Sequence, residues 1–292
     1  MGNRYNLDIE ELFQDNTMSL LRELLEDFEV IATEQYMALI PNYEFKGFRD
    51  NIRAAVIASS LRLRSLDYAK RQYCDDKQDA QETEFTKYIV SYKAAKTHIH
   101  SVMSQLSTEG KNKPSNGIFG ASLVLARLPA SFFSAHLLYS LGNEYDAHAV
   151  SRLILEQIAW ACVAYHYEDI NKIRSIVTTK TLSELKRIIP GCSRLYGLLS
   201  KKAHINYERH QEFLTVFKEK NMVLLSHQNF SQYAGVILNL ADYFSIVWEL
   251  SQLDYMIKLE SIEVKNGCPA VIQDRPFRKV IESHMNSFRK EC

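Results

Sequence analysis

Glycine and proline are scarce in this chain, whose 292 residues include 10 glycines and 6 prolines. Both numbers lie below average usage. Turns built on these residues are therefore few, and long helices with few breaks are expected. Hydrophobic residues make up 46% of the chain, a share that allows a sizeable core and argues against a disordered protein.

The chain also lacks a net charge, because 35 basic residues balance 35 acidic ones. A global electrostatic attraction to nucleic acid or to anionic lipid is therefore not expected, although a local basic patch is compatible with this composition. The first thirty residues are acidic and read as helix rather than as a signal peptide. We therefore predict a soluble, cytoplasmic protein that does not bind a membrane.

The motifs of several enzyme classes are missing. The sequence contains no His-Glu-x-x-His, no Glu-x-x-His, no Walker A and no Gly-x-Gly-x-x-Gly motif, which argues against a zincin, a di-iron bundle, a P-loop enzyme and a dinucleotide enzyme. Five scattered cysteines without a Cys-x-x-Cys pair predict neither a zinc site nor a disulfide framework. We predict no metal and no cofactor.

Helical periodicity is the main pattern that the chain does show. Apolar residues recur every three to four positions, and no segment alternates long enough with period two to predict a strand. We predict an all-α, multi-helix bundle with an N-terminal helical layer over 1–107 and a C-terminal bundle over 118–292, or one continuous domain with the same helices. The predicted helices span 17–40, 48–74, 80–107, 118–141, 147–169, 192–204, 207–220, 228–262 and 276–289, and a short capped helix lies within 179–191.

The longest apolar run covers residues 118–141 and is interrupted by Arg127, Pro129 and His136. A membrane span needs about 20 nearly uncharged residues. We therefore interpret this run as a buried helix, with a membrane span as the weaker alternative.

Two charged residues lie in the otherwise apolar helix 147–169. Arg152 and Glu156 are four positions apart and so share a helix face. A charge in such a helix is costly unless it is paired. The pair predicts either a buried salt bridge that fixes the packing of the helix, or two groups that point into a polar pocket.

A second polar stretch, "RLYGLLSKKAHINYERH" at 194–210, places Tyr196, Ser200 and His204 at four-residue intervals on one helix face. His204 has the right chemistry for a general acid or base, and Glu156 is a candidate to orient it. Arg152 is a candidate to hold a phosphate or a carboxylate. The candidate catalytic residues are thus His204, Arg152 and Glu156, and the alternative is a packed helix with an ordinary histidine.

Three further residues are candidates for binding a ligand at the same site. Tyr196 and Ser200 offer hydroxyl groups from the helix that carries His204, and Arg127 offers a cation from the 118–141 segment.

The Arg-x-x-x-Glu helix followed by "LLSKKAH" resembles uncharacterised prokaryotic helical proteins and, loosely, the HEPN superfamily over residues 118–262. The resemblance implies a small helical bundle and, in many members, a metal-independent ribonuclease of toxin or phage-defence systems, with an Arg and a His about five apart on one helix. His204 has no arginine at that spacing. Such a site would therefore combine His204 with Arg152.

Two functions stay open from the sequence. The favoured one is a helical binding or interaction protein with a polar pocket for a small anionic or protein partner, with a role in prokaryotic defence as a further prediction. The alternative is a HEPN-like ribonuclease, which acts on RNA. A homodimer is also predicted through the aromatic residues of the 228–262 helix, which are Tyr233, Tyr243, Phe244, Trp248 and Tyr255.

Overall fold

The computed structural model of the chain describes residues 28–32, 37–41, 46–73, 84–203, 214–217, 220–223 and 229–289. The chain divides into two compact units, residues 1–81 and 82–292. This division lies earlier than the loop at 107–117 that the sequence suggested as a boundary. The helix predicted at 80–107 belongs to the second unit.

The first unit begins with an antiparallel hairpin of strands β1 (Phe28–Ala32) and β2 (Met37–Pro41). The prediction of a helix over 17–40 was therefore wrong for these two stretches, and the rest of that range lies outside the described residues. β1 includes the β-branched pair Val30 and Ile31, and such residues fit a pleated sheet better than a helix.

Two helices complete the described part of the first unit, α1 (Lys46–Ser60) and α2 (Leu66–Tyr73). They replace the single helix predicted over 48–74. Arg62 lies between them with φ of 51°, a left-handed conformation that a continuous helix does not contain. Small buried side chains of Ala54, Ala58 and Ala69 pack between the two helices.

The second unit is helical over most of its described length, and the all-α prediction is confirmed. Its helices are α3 (Glu84–Met103), α4 (Asn116–Ala126), α5 (Leu128–Ser140), α6 (Glu144–Ala164), α7 (Ile170–Arg174), α8 (Thr178–Ile188), α9 (Cys192–Ala203), α10 (Phe230–Ser251) and α11 (Pro276–Arg289).

Two of these helices form the centre of the second unit. α6 packs against α4, α5, α8 and α9, whereas α10 packs against α3, α6 and α11. Nearly every residue of α10 is buried, including Tyr233, Phe244 and Trp248. The aromatic residues that suggested a homodimer therefore lie in the core of the chain. A homodimer remains a prediction and needs another surface.

The apolar run at 118–141 forms two helices rather than one, with a break at Arg127 between α4 and α5. Pro129 explains the break, because it has no N–H to donate to the preceding turn. By length and composition alone, residues 116–140 could cross a membrane. α4 and α5 pack against α6, and Gly117 comes so close that a Cβ atom there would lie 2.2 Å from the carbonyl oxygens of Ala164 and Tyr167.

Two further hairpins overlap the C-terminal ends of predicted helices. β3 (Leu214–Phe217) pairs with β4 (Lys220–Val223), within or next to the helix predicted at 207–220. β5 (Ile262–Lys265) pairs with β6 (Cys268–Val271). Between them, Asn266 and Gly267 have φ of 53° and 78°, as a two-residue hairpin turn requires. The helix predicted over 228–262 ends at Ser251.

Buried charged groups attach this C-terminal part to α10. Arg275 donates to both carboxylate oxygens of Asp242, and the two side chains are only 9% and 0% exposed. Glu249 accepts the backbone N–H groups of residues 260, 261 and 262 at 2.8 to 3.2 Å. These bonds satisfy charges that would otherwise be costly to bury and fix the path of the chain toward α11.

A cluster of aromatic side chains joins α3, α5 and α10. The His136 ring stacks on Tyr92 with ring centroids 3.8 Å apart, and its Nδ1 lies 3.1 Å from the hydroxyl of Tyr88. Burial lowers the pKa of His136 to about 3. His98 stacks on Phe277 in the same way, and burial lowers its pKa to about 4. Both histidines are therefore neutral parts of the core near neutral pH.

Candidate functional site

Three of the predicted site residues meet where α6 packs against α9. Arg152 Nε donates to Glu156 Oε1 at 2.8 Å, and the hydroxyl of Tyr196 donates to the same oxygen at 3.4 Å. The Arg152 guanidinium carbon also lies 5.2 Å from the centroid of the Tyr196 ring. The structure therefore brings Tyr196 of α9 to the Arg152–Glu156 pair of α6, whereas the predicted meeting of this pair with His204 lies outside the described residues.

Arg152, Glu156 and Tyr196, which we call the α6–α9 cluster, together carry no net charge. Arg152 and Glu156 are 25% and 22% exposed, so the pair is partly shielded from water. The hydrogen bond to Glu156 raises the pKa of the Arg152 guanidinium above its ordinary value. Because each charge already has a partner, the geometry favours the interpretation of a salt bridge that fixes the packing of α6 and α9.

The other two groups from the 194–210 stretch do not complete a catalytic arrangement in the described part of the chain. Ser200 lies one turn beyond Tyr196 on α9, and its Oγ is buried with no hydrogen-bond partner among the described residues. His204 lies outside the described residues. The predicted acid–base role of His204 therefore remains a prediction.

Arg127 forms its hydrogen bonds outside the α6–α9 cluster. Its Nε and Nη2 atoms donate to Gln157 Oε1 at 2.9 and 2.7 Å. Gln157 follows Glu156 on α6, but successive helical residues point about 100° apart around the axis. Arg127 therefore connects α6 to the junction of α4 and α5.

A groove forms between α9, α10 and α11 and has a volume of about 1260 Å³. Among the described residues, four charged side chains line it, namely Arg194, Arg278, Arg289 and Glu282. Arg278 Nε lies 3.5 Å from Glu282 Oε1, a long distance for an ion pair on an exposed helix face. Arg194 and Arg289 are exposed and have no ion-pair partner among the described residues.

The groove therefore carries an excess of two positive charges on a chain whose net charge is zero. An exposed guanidinium binds carboxylate or phosphate through two parallel N–H donors. The groove is a concave place where described residues offer such donors, whereas the arginine of the α6–α9 cluster is already paired.

These groove residues were not candidates in the sequence. The spacing from Arg278 to His284 matches the Arg–His pattern of the HEPN superfamily, but the structure places the two side chains differently. Arg278 lines the groove, whereas His284 Nδ1 lies 3.0 Å from Ser91 Oγ on α3. A better signal was the spacing of Arg278 and Arg289, because eleven residues complete about three helical turns and leave both on one face.

No group of three or more His, Cys, Asp or Glu side chains that could hold a metal ion occurs among the residues that the structure describes. Protein-family models, curated proteins and solved structures give no match to the chain. The resemblance to the HEPN superfamily therefore rests on the sequence alone.

Proposed function

We propose that the chain is a helical binding protein whose groove between α9, α10 and α11 holds an anionic partner. The observation that carries the proposal is the placement of three arginines and one glutamate around one groove of a neutral chain. The proposal keeps the binding function that the sequence favoured, and it moves the site from the α6–α9 cluster to the groove.

Charge and exposure support this choice of site. Arg194 and Arg289 lie in water, so a ligand does not have to break an existing ion pair to reach them. Bonds between ionised groups are stronger than those between neutral groups. An anionic ligand therefore gains contacts here that it would not gain at Arg152, where Glu156 already occupies the guanidinium.

The size of the groove indicates the scale of the ligand. Pockets for small molecules have volumes of about 300 to 1,000 Å³. A groove of about 1260 Å³ exceeds this range and fits an extended ligand, such as a segment of a macromolecule, better than a single metabolite.

Fluorescence anisotropy tests the proposal with two labelled probes, a short polyglutamate peptide and a short single-stranded RNA. The protein is compared with the double variant Arg194→Glu/Arg289→Glu and with Lys279→Glu. Lys279 is an exposed residue of α11 outside the groove lining, so it controls for a general change of charge.

We expect at least one probe to bind, and binding to weaken at least tenfold in the double variant but little in Lys279→Glu. If neither probe binds, or if the two variants behave alike, the groove is not the site. Because the changed side chains are exposed, the variants should fold, and circular dichroism checks this.

The second candidate is the metal-independent ribonuclease. What supports it is that Arg152, Glu156 and Tyr196 lie together on a partly exposed face, as this hypothesis requires. The test is RNA cleavage by the parent and by His204→Ala and Arg152→Ala. Loss of cleavage in both folded variants would favour the enzyme, and intact RNA with the parent would exclude it for the RNAs tested.

An NMR titration of His204 in the parent and in Glu156→Gln adds a measurement that does not depend on finding the right substrate. If Glu156 faces the imidazole, loss of its negative charge lowers the pKa of His204. An identical titration in both proteins would separate His204 from the α6–α9 cluster and remove the basis of the ribonuclease hypothesis.

A further inference from the structure

The groove follows the direction of two helices over about three turns. On α11, its lining includes Arg278, Ile281, Met285 and Arg289, each separated from the next by three or four residues. At 1.5 Å per residue, Arg278 and Arg289 are about 16 Å apart along the helix axis. Residues from Gln232 to Tyr243 of α10 line the opposite side. The groove therefore has the form of a trough rather than of a closed pocket.

The trough has an apolar floor. Leu198 of α9 and Met285 of α11, both partly exposed, form the accessible part of this floor, whereas Val236 and Ile281 in its lining are 2% and 4% exposed. Gly235 lies next to Met285, since a Cβ atom there would be 3.5 Å from Met285 Cε, an ordinary van der Waals contact. Methionine has a flexible side chain that adapts to different partners. A ligand that gains affinity here must present apolar groups to the floor as well as negative charges to the arginines.

The aromatic content of the lining separates two kinds of anionic ligand. Proteins that hold single-stranded nucleic acid stack the bases on exposed aromatic rings. Tyr243 is the aromatic residue in the described lining, and only 5% of it is exposed. The described lining therefore offers no exposed ring on which a base could stack, and its apolar floor matches aliphatic side chains better.

Resting on the proposed binding function, we propose that the partner is an acidic amphipathic helical segment of another protein, which lies in the trough along α10 and α11. Its apolar side chains, spaced three and four residues apart, pack on the floor. Acidic side chains near its two ends meet Arg278 at one end and Arg289 at the other, and a third meets Arg194.

Binding of a helix in a groove between helices is a general mode of recognition. Apolar burial supplies most of the affinity in this mode, and the charges select the partner and fix its direction. The separation of Arg278 and Arg289 requires acidic residues about eleven positions apart in the partner helix, because both helices rise by the same amount per residue.

Selection from a displayed library of helical peptides tests this inference with the full chain as bait. We expect enriched peptides to carry apolar residues at helical spacing and acidic residues near both ends. Synthetic copies of the best sequences are then measured by anisotropy against the parent, Arg194→Glu/Arg289→Glu and Lys279→Glu. Affinity should fall at least tenfold in the double variant and change little in Lys279→Glu.

A charge-swapped copy, with lysine in place of the acidic residues, provides the reciprocal test. It should bind the double variant better than the parent, because opposite charges again face each other. Enriched peptides without an acidic bias, no enrichment at all, or equal affinity for the parent and the double variant would each overturn the inference.

The RNA and polyglutamate probes distinguish this failure from failure of the proposed function. If RNA binds the groove with the expected dependence on Arg194 and Arg289 while acidic peptides do not, the groove is a binding site but its partner is a nucleic acid. If no anionic probe binds, both proposals fail.

Discussion

Acidification should destabilise the second unit, because a buried and a partly buried histidine, His136 and His98, are uncharged there. Burial lowers the pKa of His136 to about 3 and that of His98 to about 4, against 6.5 for an exposed histidine. Between these values the unfolded chain binds more protons than the folded chain. The stabilisation is therefore fully present above pH 6.5 and is lost as the pH falls toward 4 and 3.

The size of the effect follows from this difference. One pKa unit corresponds to 1.36 kcal/mol. Between pH 7 and pH 5 the pH passes the pKa of 6.5 of an unfolded histidine and ends 1.5 units below it. Each histidine should therefore lower the free energy of unfolding by about 2 kcal/mol, and the two together by about 4 kcal/mol.

Urea denaturation at pH 7 and pH 5 measures this loss in the second unit. Trp160 and Trp248 both belong to residues 82–292, so tryptophan fluorescence follows that unit. His136→Phe should remove about half of the difference between the two pH values. Comparing pH values within one variant cancels any loss of packing. The reasoning is refuted if His136→Phe leaves the pH dependence unchanged, or if the parent is equally stable at both pH values.

Three further variants test the packing of the fold. Gly117→Ala should lower the free energy of unfolding by about 1 to 3 kcal/mol, because the added Cβ would overlap two backbone oxygens. Thermal denaturation measures the loss of stability, and an unchanged melting temperature would contradict the prediction. Asp242→Leu should lower the free energy of unfolding by about 3 to 5 kcal/mol, because it leaves Arg275 buried without a partner. In urea denaturation, Asp242→Leu/Arg275→Met should recover much of this loss. A double variant no more stable than the single one would contradict the importance of the ion pair. In the same assay, Glu156→Gln should lower the free energy of unfolding by no more than about 1 kcal/mol, because its ion pair with Arg152 is partly exposed. A loss above about 3 kcal/mol would contradict this and show that the pair stabilises the fold more than its exposure indicates.

The sequence predicted the helices of the second unit because their apolar residues follow the helical period and glycine and proline are few. It failed at short strands. Asn266-Gly267 is a hairpin signal by composition, but the strands beside it have four residues each, too few for an alternating pattern to stand out. The strand Phe28–Ala32 lies in a sequence whose apolar residues also fit a helix, so periodicity alone could not identify it.

The sequence also predicts poorly which residues from distant parts of the chain come together in a site. Arg152, Glu156 and Tyr196 were found because four-residue spacing within each helix defines a face, and α6 and α9 happen to place those faces together. The groove joins residues from 190 to 289 on three helices. Its arginines are ordinary surface residues in the sequence, and only the packing of α9 and α10 on α6, and of α11 on α10, brings them to one place.

Methyl NMR of the methionine-labelled chain tests the central claim most directly, because Met285 lines the groove whereas Met103 and Met256 lie elsewhere in the second unit. The probe is the short polyglutamate peptide, followed by the best acidic helical peptide from the library. We predict that the Met285 signal shifts on titration while the signals of Met103 and Met256 do not, and that the shift is lost in Arg194→Glu/Arg289→Glu. A Met285 signal that stays in place while an acidic ligand binds would contradict the assignment of the groove as the binding site.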